Sequence, residues 1–289
     1  MIVDFHTHIF PPYLIKNRDR YLFRDSALSV LFADPKMPMA TAEDLLTVMD
    51  EAEVDLAVAM GMGWTSLDIA REINDYLLES VARYPQRLAA FCSVNPAWGE
   101  EALREIERCA RLGAKGIGEL HPDIQDLDLS NHEIMGPLMD MLRSNRLILL
   151  VHASEPVGHS YPGKGSTTPA VLMGLIRRYP EVPIVCAHWG GGLPFYALMP
   201  EVNNALRNTY FDTATSPFLY EPQVFSAVAG LVSPTSILMG SDYPLVKPQR
   251  LIQQLTTSPL TDQDKKAIIG GNAQKLLGLK DDRHDATDG

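Results

Sequence analysis

The chain has 289 residues, 46% of them apolar and 21% charged, and its 25 Lys and Arg against 36 Asp and Glu leave a net charge of −11. This is ordinary globular composition with material for a large core, and the acidic balance argues against nucleic acid or an anionic membrane as a partner, because their phosphates would repel it. No apolar run reaches the roughly 18 residues of a membrane-spanning helix and no signal-peptide pattern opens the chain; the three cysteines, Cys92, Cys109 and Cys186, lack CxxC spacing and read as free thiols of a cytoplasmic protein.

The first candidate strand, Ile2–His6, runs into "VDFHTHIF" at residues 3–10. Positions i and i+2 of a strand share a face, so His6 and His8 project side by side and can grip one ion. A surface strand with polar residues alternating outward is the competing reading. The segment from Phe10 to Pro38 has no sustained periodicity and reads as a long loop. Thr41 then caps an amphipathic helix, "TAEDLLTVMDEAEV", with Asp44 three residues on. Further strand candidates fall at 54–60, 87–94, 114–120, 147–152, 183–188, 209–214 and 236–242, and helical spacing fills the intervals. Most strand candidates are near-continuous apolar runs, as strands buried on both faces of a parallel sheet must be. Eight βα units predict a single-domain α/β protein with a (β/α)8 TIM barrel over 1–279, and a polar, disordered tail over 280–289. An open doubly wound sheet is the alternative, weakened by the lack of GxGxxG after the first strand.

Barrel enzymes carry their chemistry at the C-terminal ends of the strands. Here strand one ends in His6 and His8, strand four at Glu119 with His121 beyond it, strand five at His152, strand six at His188 and strand eight at Asp242. Any one of these could be a hydrogen-bonded structural residue. Five coincident polar ends converging on one mouth read better as a metal centre, and imidazoles with a carboxylate suit Zn²⁺, and also Mn²⁺, Fe²⁺ or Co²⁺.

Taken in order, "VDFHTHIF", "KGIGELHP", "VHASEP", "CAHWGGG", "GSDYP" and "GNAQKLLGL" resemble the amidohydrolase superfamily of metal-dependent (β/α)8 enzymes. The nearest likeness is the branch that includes aminocarboxymuconate-semialdehyde decarboxylase. The resemblance implies His6, His8, His152 and Asp242 as ligands of one divalent metal, with Zn²⁺ the first expectation. It places Glu119 where some relatives hold a second ion, and makes Asp242 and His188 the acid–base pair. Lys115 lies deeper and reads as a barrel-floor residue, so a carbamate-bridged pair of ions is not expected.

Substrate recognition falls to the loops, with His159, Tyr161, Lys164, Arg24 and Trp189 as candidates; Lys16, Arg18, Arg20 and Trp64 are further ones. The expected activity is hydrolysis of an amide, ester or lactone of a small molecule by metal-activated water. The alternative is non-oxidative decarboxylation of an aromatic or unsaturated acid, and a second alternative is a non-catalytic metal-binding barrel. Homo-oligomer formation is left open.

Overall fold

The eight apolar runs all become strands. A computed structural model describes residues 1–279, and the tail expected over 280–289 lies outside the described residues. Strands β1 (Val3–His8), β2 (Leu56–Met60), β3 (Leu88–Cys92), β4 (Gly116–Leu120), β5 (Ile148–Val151), β6 (Ile184–Cys186), β7 (Thr209–Asp212) and β8 (Ile237–Leu238) form one sheet in sequence order. Each neighbouring pair is parallel. Hydrogen bonds from Phe5 N to Met239 O, Asp242 N to His6 O and His8 N to Tyr243 O bring the last strand back to the first. This is the expected (β/α)8 barrel. No helix among the described residues is long and apolar enough to cross a membrane.

Strands β2 to β8 are shorter than their candidate runs, β6 and β8 most of all. β6 stops at Cys186 because His188 and Trp189 take left-handed conformations (φ 55° and 56°), and the segment after β8 turns away, with Asp242 at φ 69°. The long segment after β1 is not structureless. It folds into three short helices, Pro12–Lys16, Arg18–Leu22 and Ser26–Phe32. The Asp25 carboxylate caps the third by accepting from Ala27 N, and also accepts from Thr65 N and Ser66 N, tying this excursion to the loop after β2. The helix after it, Ala42–Glu51, has the Thr41–Asp44 capping box expected from the sequence.

The barrel interior is filled by Val3, Phe5, Val58, Met60, Phe91 and Leu150, with the Phe5 and Phe91 rings edge to face at 5.6 Å. Each such large side chain contributes roughly 1.5–3 kcal/mol by leaving water. The alternate residues Ala57, Ala59, Ala90, Ile117 and Leu149 belong to the outer layer against the helices.

That alternation creates a problem, and two bulges solve it. If Val3 and Phe5 face inward, a regular strand would turn His6 and His8 outward. Between Asp4 and Thr7, β1 spends three steps against two on β2, from Ala57 to Ala59. The extra residue reverses the alternation and aims both histidines into the mouth. Likewise β4 takes three steps from Ile117 to Leu120 against two on β5, which turns Glu119 inward although Ile117 faces out. Gly118 permits this, because a Cβ there would lie 2.7 Å from Leu150 O.

Outside the barrel, a buried polar network joins the helix Leu67–Arg83 to the helix Glu100–Arg111. The Asn74 side chain accepts from Ser93 N and donates to Ser93 O and to the Glu105 carboxylate, which Arg108 also clasps with Nε and Nη2 at 2.9 and 2.8 Å. Burial pushes the Glu105 pKa up, but the Arg108 and Asn74 contacts outweigh it and hold it below its ordinary 4.5. Stability from a depressed carboxyl is complete above the unfolded value and is lost as pH falls through the folded one. Glu105→Gln should therefore cost about 1.5–3 kcal/mol in urea unfolding at pH 7. Wild type and variant should converge below pH 4.5. A gap of unchanged size in acid would contradict the role of the charge.

Candidate metal centre

Six strand ends bring their polar side chains together at the mouth. His6 Nδ1 donates to Asp212 Oδ2 at 2.8 Å and His8 Nδ1 donates to Met60 O at 3.2 Å. Both partners are acceptors, so each ring carries its proton on Nδ1 and turns a bare Nε2 to the centre. The two Nε2 atoms are 3.1 Å apart. Glu119 Oε2 stands 3.7 and 3.8 Å from them, and Asp242 Oδ1 stands 3.7 and 3.2 Å away. Two imidazole lone pairs and two carboxylates thus converge with no donor between them. Such a group needs positive charge at its centre, from a proton or a bound cation, and two imidazoles with carboxylate oxygens are a fitting donor set for a divalent transition metal.

The other oxygen of Glu119 serves a second group. Oε1 lies 2.8 Å from His152 Nδ1 and 3.3 Å from His188 Nε2. His188 Nδ1 packs against Thr215 Oγ1 at 2.9 Å and Ala214 O at 3.2 Å, which fixes its ring. The ligating atoms of His6, His8 and Glu119, and those of Glu119, His152 and His188, each lie within 4.8 Å of one another. His152 and His188 thus share one Glu119 oxygen while His6 and His8 face the other, so the expected ligands His6, His8 and His152 all meet the same carboxylate.

The electrostatics have the sign of a cation site. Burial works against charging His6, but the Asp212 and Glu119 carboxylates prevail and raise its pKa well above the usual 6.5. His188 is likewise opposed by burial and raised, chiefly by Glu119, to about 9. Burial disfavours the charged forms of Glu119 and Asp242, yet the surrounding histidines hold Glu119 well below the usual range and Asp242 at about 2. His121 is different. Burial pushes it down to about 3, its ring stacks flat on His152 with centroids 4.0 Å apart, and neither ring nitrogen has a protein partner.

Two buried carboxylates hold this arrangement, and neither was singled out from the sequence. Asp212 accepts from His188 N and Ala214 N with the oxygen that His6 does not use. A lone acid ending the apolar run "TYFDTA" was the available signal. Asp4, raised to about 6 by burial, accepts from Ser241 N at 2.8 Å and Ser241 Oγ at 2.6 Å, fixing the residue before Asp242. Gly240 lets β1 approach, since a Cβ there would lie 2.8 Å from His6 Cβ.

The centre opens into a cavity of about 420 Å³, within the ~300–1,000 Å³ usual for small-molecule sites. Its floor is His8, Glu119, His152, His188 and Asp242, and His121, His159 and Tyr161 also line it. The rest of the wall is largely apolar. Three expected substrate contacts are elsewhere. Arg24 is drawn to Glu72 at 3.6 Å and the Tyr21 ring, Lys164 donates to Val157 O and His159 O within its own loop, and Trp189 is buried against Phe225. Trp64 is buried behind the wall against Phe10.

Comparison with known proteins places the geometry in a family. The Amidohydrolase family profile matches residues 3–279. The 6-methylsalicylic acid decarboxylase of Penicillium expansum is 24% identical over 316 aligned residues, covering 95% of each chain. The gamma-resorcylate decarboxylase of Polaromonas sp. is 24% identical over 250 residues, covering 73% of this chain and 77% of the relative. Among solved structures, the 5-carboxyvanillate decarboxylase of Novosphingobium aromaticivorans, crystallised with manganese, superposes with a TM-score of 0.80 at 20% identity, covering 96% of this chain and 97% of that one. Matched from its first strand to its last described residue, the chain belongs to the Amidohydrolase family.

Proposed function

We propose that the protein is a metal-dependent, non-oxidative decarboxylase of an aromatic carboxylic acid. The observation that carries this reading is the lining of the cavity: the histidines and carboxylates that converge at the mouth open onto a wall that is largely apolar, as an aromatic ring requires. The relatives that match along most of the chain are decarboxylases, which favours this alternative over the hydrolysis expected from the sequence.

The His6, His8, His152 and Asp242 group, with the Glu119 carboxylate between them, would hold a divalent ion, and manganese in the solved relative supports one. Such an ion supplies a Lewis acid that anchors and polarises the substrate carboxylate. The reaction itself needs little else: a proton adds to the ring carbon, the bond to the carboxyl carbon breaks, its electron pair returns to the ring and carbon dioxide leaves. Asp242 and His188 handle that proton. Both line the cavity, where the imidazole can donate the proton and the carboxylate can receive and relay it. The apolar wall, with Phe32, Met62 and Phe218, keeps the ring flat over these groups and excludes water from the developing charge.

Metal-loaded protein offered a panel of aromatic carboxylic acids should release carbon dioxide and leave a matched panel of esters, lactones and amides intact; the reverse pattern would restore hydrolysis. Asp242→Asn and His188→Asn should each lower turnover by about 10²–10⁴-fold. Of the two, His188→Asn should keep its bound metal, as read by elemental analysis. His6→Ala/His8→Ala should lose it, and a full complement of metal in that double variant would remove the ion from this group.

A further inference from the structure

We infer that the cavity accepts a ring bearing one carboxylate and rejects a substrate bearing a second, because its largely apolar wall offers no lysine or arginine away from the metal end. This rests on the proposed decarboxylase reading, which puts the first carboxylate at the metal. There the charges already balance, since Glu119 and Asp242 match one divalent ion. Any further anion on the ring must face the rest of the wall, which is mostly apolar, with Leu31, Phe32, Met62 and Phe218 beside the polar His159 and Tyr161.

Among the described residues no Lys or Arg lines the cavity. The nearby cations are committed elsewhere. Arg18 donates to Met37 O at 2.7 Å and Asp34 O at 3.2 Å, so it braces the backbone of the wall from behind. Arg24 pairs with Glu72, and Lys164 closes its own loop through two carbonyls. Arg250 comes nearest the rim, but as a guanidinium 5.3 Å from the centre of the Phe218 ring. His6, His152 and His188 all face Glu119 at the metal end. Two histidines line the wall itself: His121, whose ring lies flat on His152, and the exposed His159.

A second carboxylate would therefore shed its water against methyl and phenyl groups without an ion pair in return, and would feel the like charges of Glu119 and Asp242. A methyl group at the same ring position gains instead, by roughly fourfold in affinity for each buried carbon. The favoured class is a monocarboxylate with apolar or uncharged ring substituents.

Calorimetric titration of the metal-loaded protein with benzoate, 3-methylbenzoate and benzene-1,3-dicarboxylate tests this directly. The methyl acid should bind at least as tightly as benzoate, and the dicarboxylate about tenfold or more weakly. Phe218 is half exposed at the rim, so Phe218→Arg should fold and should recover most of the lost dicarboxylate affinity, in a salt-sensitive way. Equal or tighter binding of the dicarboxylate by the wild type would overturn the inference, and an unchanged ratio in Phe218→Arg would count against the wall as the filter. Tight, selective binding of methyl acids with no carbon dioxide released would sink the decarboxylase reading while upholding the charge selection.

Discussion

The Glu119 carboxylate is the constraint around which the mouth of the barrel is arranged. Almost fully buried, it presents one oxygen to His6 and His8 and the other to His152 and His188. A buried carboxylate is tolerable only where charge and hydrogen bonds surround it, and here four imidazoles from three strands do so. The same contacts oblige those strands to end at one level. The constraint works in both directions: the histidines gain a common acceptor, and the acid is held ionised at their centre.

Support for these side chains comes from below and from the side. Asp212 couples β1 to the turn after β6 by holding the His6 ring and the His188 amide at once. Asp4 performs the corresponding task for the last strand through Ser241. The residues they steady are conformationally expensive, for His188, Thr215 and Asp242 all have left-handed backbones, a geometry that costs non-glycine residues about 1–3 kcal/mol each. Strained residues line the cavity because hydrogen bonds and packing around them leave no relaxed alternative.

Much of this was legible in the chain itself. Apolar runs marked all eight strands, and the polar residues ending those runs, His6, His8, Glu119, His152, His188 and Asp242, are those that meet at the mouth. What stayed hidden depended on geometry that no local pattern records. That Glu119 would present one oxygen to His6 and His8 and the other to His152 and His188 is not written in the strand-end positions alone. Arg24 and Lys164 read as substrate contacts because they are charged loop residues, but long flexible side chains settle wherever an acceptor is near, and theirs lie in the loops. Asp212 escaped notice because a single acid in a strand looks like an edge residue until two histidine-bearing segments are seen to need it. The bulges were equally invisible, since one surplus residue leaves hydrophobic periodicity almost unaltered over so short a strand.

Those bulges divide β1 and β4 into two halves with different obligations. Below the extra residue, side-chain alternation answers to the packing of the interior. Above it, alternation is reset and answers to the centre alone. A change of bulk at Phe5 or Ile117 is thus insulated from the direction in which His8 or Glu119 points, and a replacement among the ligands does not oblige the layer beneath to repack. A single-residue deletion at either bulge would do the opposite: it would preserve the strand and its hydrophobic pattern while rotating the chemistry out of the barrel, converting the protein in one step into an inert scaffold of the same shape.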